Sequence, residues 1–197
     1  MRVVIVGGVA GGMSAATRLR RLDETAEIII LEKGPYVSFA NCGLPYYISQ
    51  EIEERDALKV QRPEVLNTRY QLDIRVNNEV LKIDKDKKVL SIKEDEDVYE
   101  LEYDKLILSP GASPFVPNIK GLDEIDHAFT LRNIPDVDKI EEYIQNNDVK
   151  SASVIGAGFI GIEMAESLKN RGLDVTVIEM ADQILPPLDK EIASFAE

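Results

Sequence analysis

Val154-Ile155-Gly156-Ala157-Gly158-Phe159-Ile160-Gly161 decides the fold. It is a complete G-x-G-x-x-G, placed behind an apolar strand pattern at 152–155 and ahead of a helical pattern at 158–171. The first glycine permits a tight reversal, the second lets a pyrophosphate approach the backbone, and the third lets helix and strand pack closely. Free N–H groups at the helix start, with the helix dipole, then favour phosphate. Gly172 closes the helix, and 174–178 reads as the next strand. Glu179 ends that strand, near the spacing usual for an acid that binds a ribose 2′-hydroxyl. A carboxylate there repels a 2′-phosphate, which favours NADH and leaves NADPH open.

The same unit occurs at the front of the chain. Arg2-Val3-Val4-Ile5-Val6 reads as a buried strand, 11–23 as a helix and 27–31 as a second strand. The turn between is Gly7-Gly8-Val9-Ala10-Gly11-Gly12, with Val9 where the second glycine would stand and Glu32 at the end of the next strand. Two such units point to two dinucleotides, and a flavin fed by a nicotinamide is the simplest pairing. FAD is expected at Gly7 to Gly12, with Glu32 on its adenosine ribose. Lys33, beside Glu32, and Gly111 are counted with this first site.

Between the units, 63–70 reads as a short helix. Stretches 79–83, 89–93 and 98–102 read as a meander, joined by charge-rich turns to which no function is given. A short strand at 106–108 runs into Ser109-Pro110-Gly111-Ala112-Ser113-Pro114, which stops regular structure. Asn133 opens a polar helix that ends near Asn146-Asn147. The fold class is therefore α/β: an FAD-binding doubly wound domain with a β-meander over 1–112, then the start of a second, NAD(P)-binding Rossmann-type domain over 113–197. A doubly wound sheet needs more strands than follow 174–178. The reading thus expects part of a longer enzyme, inactive alone.

The 197 residues carry a net charge of −13, which argues against nucleic acid as a partner. No run of about 18 apolar residues suits a membrane span. The chain enters a strand at once, so no signal peptide is expected. One cysteine, Cys42, rules out a disulfide within the chain and suits a reducing cytoplasm. No metal site is expected.

Ser38-Phe39-Ala40-Asn41-Cys42-Gly43-Leu44-Pro45-Tyr46 resembles the active-site segment of the coenzyme A-disulfide reductases and their NADH oxidase and peroxidase relatives. Leu106-Ile107-Leu108-Ser109-Pro110-Gly111-Ala112-Ser113-Pro114 resembles their exit from the FAD domain, and Thr130-Leu131-Arg132-Asn133 and the second fingerprint also match. The likeness extends over the whole chain. It leans to the subgroup with a C-terminal rhodanese domain, within the pyridine nucleotide-disulfide oxidoreductases. It implies a homodimer when full length, and the dimerisation domain is absent from this chain. It also implies hydride passage from NAD(P)H through FAD to a single redox cysteine, Cys42, that reduces coenzyme A disulfide or persulfide. An NADH oxidase cycling through a cysteine sulfenate stays open as an alternative. So does a non-catalytic flavin- or nucleotide-binding redox module.

Dithiol reductases carry C-x-x-x-x-C, but the position five after Cys42 is Tyr47. The oxidised form must then be a sulfenic acid or a mixed disulfide. The peroxidase relatives place a histidine where this chain has Ala10, and the only histidine, His127, reads as a surface residue. A mixed disulfide is favoured, and a short helix near Gly43 is expected to favour the thiolate. Ser14, Arg18 and Arg21 fall on one face of the first helix, with Gly12, Ala15, Leu19 and Leu22 expected to face the core. Guanidinium forks suit phosphates. The plainer reading of that face is ordinary solvation. The resemblance places substrate contacts at Ser14, Arg18, Arg21, Ser38 and Asn41.

Overall fold

The computed structural model describes residues 1–196. In chain order the elements are β1 (Arg2–Val6), α1 (Ala10–Leu22), β2 (Glu27–Glu32), α2 (Leu44–Ile48), α3 (Pro63–Tyr70), β3 (Asp73–Val76), β4 (Asn78–Asp84), β5 (Val89–Glu94), β6 (Asp97–Glu102), β7 (Lys105–Leu108), α4 (Ile134–Asn146), β8 (Ser151–Ile155), α5 (Phe159–Asn170), β9 (Asp174–Ile178) and α6 (Lys190–Ala193). The chain divides into two compact units. Residues 1–40 and 59–113 form one; 41–58 and 114–196 lie in the other.

In the first unit a parallel sheet runs in the order β3-β2-β1-β7. Its central strands β1 and β2 are apolar on both sides because both faces are covered. Val3, Ile5, Ile28 and Ile30 pack with Met13 and Ala16 of α1 and Leu66 of α3. The alternate residues Val4, Ile29 and Leu31 pack with Leu90 and Ile92 of the antiparallel meander β4-β5-β6. Each such side chain contributes about 1.5–3 kcal/mol when withdrawn from water. The strand period of two thus sends successive residues of β1 and β2 into two different cores.

The mixed α/β fold with a parallel sheet agrees with the sequence reading, and two details differ. β3 is an additional strand: Ile74 and Val76 alternate with Asp73 and Arg75, so the segment reads as polar, yet it pairs in parallel with β2. On α1 the buried residues are Gly12, Met13 and Ala16, while Leu22 is 68% exposed. Six residues beyond Ala16 carries Leu22 about 120° around the helix, away from the sheet.

The second unit holds a two-stranded parallel sheet, β8-β9, with α5 packed on both strands and α2 against α4 and α5. Asn133 caps α4: its side chain accepts from the Asp136 amide, and the Asp136 carboxylate accepts from the Asn133 amide. No helix among the described residues is long and apolar enough to cross a membrane.

Candidate functional site

The two glycine-rich turns repeat one construction, each within its own unit. Gly7 and Gly156 turn the chain at φ +97° and +100°, in the left-handed region that glycine favours. A Cβ on Gly12 would lie 1.8 Å from the Gly7 carbonyl oxygen, and one on Gly161 would lie 1.9 Å from that of Gly156. Glycine is therefore required at the last position of each motif for the helix to close on its turn. At the second position the requirement lapses: Val9 caps α1 and Gly158 caps α5, and nothing lies within 4 Å of a Cβ on Gly158.

The acids after β2 and β9 also match. Glu32 accepts the Gly8 N–H through Oε2 at 2.8 Å and the Gly34 N–H through Oε1 at 2.8 Å. Glu179 accepts the Ala157 N–H through Oε2 at 2.7 Å and those of Met180 and Ala181 through Oε1 at 2.7 and 2.8 Å. The Ala181 N–H first, then that of Ala157, hold the Glu179 carboxyl below the usual carboxylate range.

Both turns suit a pyrophosphate. Neither α1 nor α5 has a side-chain cap or an acid in its first turn, whereas α4 has a full capping box. The first N–H groups of α1 and α5 are left for an anion. Ala10 and Gly11 are exposed at the start of α1, as are Phe159 and Ile160 at the start of α5. In the first unit, Ser109 and Pro110 press on the turn: a Cβ on Gly7 would meet the Ser109 carbonyl oxygen at 2.0 Å. Gly111 follows at φ +69°, and Lys33 is exposed beside Glu32.

Ser14, Arg18 and Arg21 are exposed on α1. Arg18 and Arg21 make no hydrogen bond or ion pair among the described residues, so both guanidinium groups are available to a ligand. Arg20, which the sequence reading passed over, is fully engaged. Its guanidinium donates to the carbonyls of Tyr70 (2.8 Å), Gln71 (3.0 Å), Asp23 (3.3 Å) and Glu24 (2.8 Å). Ser38 has φ +50°; its N–H donates to the Gly8 carbonyl, and its own carbonyl accepts from Val60 and Gln61. Three backbone bonds thus hold a conformation that serine rarely adopts.

Cys42 is a free, exposed cysteine of the second unit, in the single turn Asn41–Gly43 that leads into α2. That helix runs only five residues. Asn41 Nδ2 donates to the Arg132 carbonyl at 3.3 Å. Tyr47 is partly buried; burial first, then the charges of Glu141 and Asp138, push its hydroxyl up, so it stays protonated. His127 is exposed and stacks on Tyr143. No cluster able to hold a metal ion occurs among the described residues.

The parallel sheets and the repeated glycine turns place the chain among Rossmann-like α/β proteins. It belongs to the pyridine nucleotide-disulphide oxidoreductase family, whose model matches residues 1–197. A coenzyme A disulfide reductase of Staphylococcus haemolyticus is 41% identical over 193 residues, covering 97% of this chain and 43% of that protein. Among solved structures, reduced Bacillus anthracis CoADR-RHD matches at 54% identity with a TM-score of 0.96, over 98% of this chain and 35% of that one. An NAD-dependent persulfide reductase of A. fulgidus matches at 40% identity with a TM-score of 0.94, over the whole of this chain and 37% of the other. The chain therefore spans less than half the length of these relatives.

Proposed function

We propose that this chain is the nucleotide-binding and thiol-bearing part of an NAD(P)H-dependent flavoprotein that reduces coenzyme A disulfide or a coenzyme A persulfide. The observation that carries the reading is a lone exposed thiol, Cys42, with Tyr47 where a dithiol enzyme has its second cysteine. Relatives named for coenzyme A disulfide and for persulfide reduction support it.

In this reading, residues 1–112 belong to the FAD domain. Gly7, Gly8, Val9, Ala10, Gly11, Gly12, Glu32, Lys33 and Gly111 hold that cofactor. Residues 113–197 begin the NAD(P) domain, where Gly156, Gly158, Phe159, Ile160, Gly161 and Glu179 hold the nicotinamide dinucleotide. Ser14, Arg18, Arg21, Ser38 and Asn41 serve the substrate. When bound, the two cofactors supply a hydride relay that delivers two electrons.

The remaining chemistry falls to Cys42. Its thiolate attacks one sulfur of the coenzyme A disulfide. A Cys42–sulfur bond forms, the substrate S–S bond breaks, and one coenzyme A thiolate leaves. Two electrons then split the mixed disulfide, returning the Cys42 thiolate and the second coenzyme A. Tyr47 cannot resolve that intermediate, because it has no sulfur. The bound thiol is therefore kept until the electrons arrive.

Intact mass of the chain purified without reductant tests the reading. An adduct of coenzyme A mass on Cys42, lost in Cys42→Ser, is the expected result. A Cys42 that carries only oxygen atoms would transfer the assignment to the oxidase chemistry.

A further inference from the structure

The helix after Cys42 is too short to persist in water unaided, and the 41–58 segment that carries it is tied down within the second unit. Asn41 is tied to the Arg132 carbonyl. Arg55 grips Asp138 of α4 through Nε and Nη2, each at 2.6 Å from a different carboxylate oxygen. The third contact is at the C-terminus of α2. Arg171 Nη1 donates to the Ile48 carbonyl at 2.9 Å and to Glu141 Oε2 at 3.1 Å, and Nη2 donates to Glu141 Oε1 at 2.7 Å. The side chains of Arg171 and Glu141 are 13% and 10% exposed, and Gln145 completes the cluster by donating to Glu141 Oε1.

Arg171 is the C-cap of α5, the helix that opens at the second glycine turn. The chain then reverses at Gly172, whose N–H donates to the Lys169 carbonyl, and continues through β9 to Glu179. We propose that Arg171 is a positioning residue for Cys42: it caps the thiol segment's helix from the far end of the nucleotide helix, and so fixes how the sulfur is presented to a disulfide. The proposal rests on Cys42 being the redox thiol. A guanidinium suits the task because one planar fork serves three acceptors. Lysine would reach one or two of them as a point charge. A buried pair of this kind is a weak source of net stability, and in the proposed role it selects one conformation of the thiol segment.

Three variants test the proposal in the chain: Arg171→Lys, Arg171→Met, and Arg171→Met with Glu141→Gln. The double change relieves the stranded carboxylate and keeps the test alive if the single change does not fold. Intact mass follows the exchange of Cys42 with coenzyme A disulfide and with cystine. N-ethylmaleimide alkylation reports bare access, and amide hydrogen exchange reports residues 44–48 beside β8 and β9. In the methionine variants, disulfide exchange should slow at least fivefold and amide exchange of 44–48 should quicken at least tenfold. Alkylation should stay within twofold, β8 and β9 should be unchanged, and lysine should restore part of the loss.

Unchanged disulfide exchange beside faster amide exchange would make Arg171 a stabiliser of α2 alone and overturn the proposal. Equal losses in alkylation and disulfide exchange would overturn it as well. A wild-type chain that exchanges with coenzyme A disulfide no faster than with cystine would sink the proposed substrate instead, while the cystine rates still decide the role of Arg171.

Discussion

Glu179 accepts the N–H of Ala157 at 2.7 Å, so the acid that ends β9 is bonded directly to the glycine turn that opens α5. Glu32 does the same to Gly8 in the other unit. Each carboxylate is a backbone anchor, and in the proposed reading it would also contact a ribose, so that a substitution disturbs both. Glu179→Arg brings a cation suited to a 2′-phosphate but no acceptor for the three N–H groups. The expected outcome is a rise in the NADPH-to-NADH affinity ratio together with weaker binding of NADH, by about tenfold for the removal of one charged hydrogen bond. Fluorescence titration of both nucleotides checks this. An unchanged ratio would show that Glu179 does not read the ribose.

The same bonds set a pH dependence. The carboxyl of Glu179 lies below its ordinary range in the folded chain. Its anchoring contribution is present above the unfolded value and is lost as pH falls through the lowered folded value. NADH affinity should therefore be flat from neutrality down to roughly pH 5 and weaken only in stronger acid. Glu179→Gln, which cannot ionise, should lower the affinity at neutral pH and remove the acid limb. An acid limb of the same shape in wild type and Glu179→Gln would assign it to another group.

Gly158 and Gly161 belong to one motif, but the structure separates them. Gly161→Ala drives a methyl against the Gly156 carbonyl, and such overpacking costs about 1–3 kcal/mol or more. Gly158→Ala meets nothing within 4 Å. The first change should lower the urea midpoint clearly. The second should leave it in place and weaken NADH binding, because in the proposed reading the methyl would occupy the approach to the phosphates. Equal loss of stability in both would refute the distinction.

Much of this was legible in the sequence because the signals are local. Glycine at fixed offsets, an acid at the next strand end and a strand–helix–strand period all lie within about 30 residues. Met13 and Ala16 were missed as core because a helix with buried glycine and alanine carries a weak apolar stripe. Arg20 and Arg171 were missed for another reason. Apart from Asp23 and Glu24 beside Arg20, their partners lie 50 and 51 residues away (Tyr70 and Gln71), and 123 and 30 residues away (Ile48 and Glu141). Those partners are mostly backbone carbonyls, which no residue type announces.

Arg20 supplies a stability prediction. It holds two carbonyls just past the end of α1 and two at the end of α3, which would otherwise rely on water. Arg20→Ala should cost about 2 kcal/mol by urea unfolding, the scale of one or two hydrogen bonds to a charged donor. Arg20→Lys should recover little, since an ammonium cannot span the four acceptors.

Arg18 and Arg21 test the opposite case. They flank Arg20 on the same helix, lie exposed, and have no protein partner among the described residues. Alanine at both positions should change unfolding free energy by less than about 0.5 kcal/mol. If the two arginines hold the phosphates of coenzyme A, the double change should raise its dissociation constant at least tenfold. Each charge-assisted hydrogen bond to a phosphate contributes on the order of 1.5–3 kcal/mol when shielded from water. Pantetheine, which lacks the nucleotide, should bind the two forms equally. Calorimetric titration of both ligands, wild type beside Arg18→Ala/Arg21→Ala, separates the outcomes. Equal losses for both ligands would point to damage to α1. Unchanged coenzyme A affinity would leave this face as solvated surface, and the substrate's nucleotide would have to be recognised elsewhere.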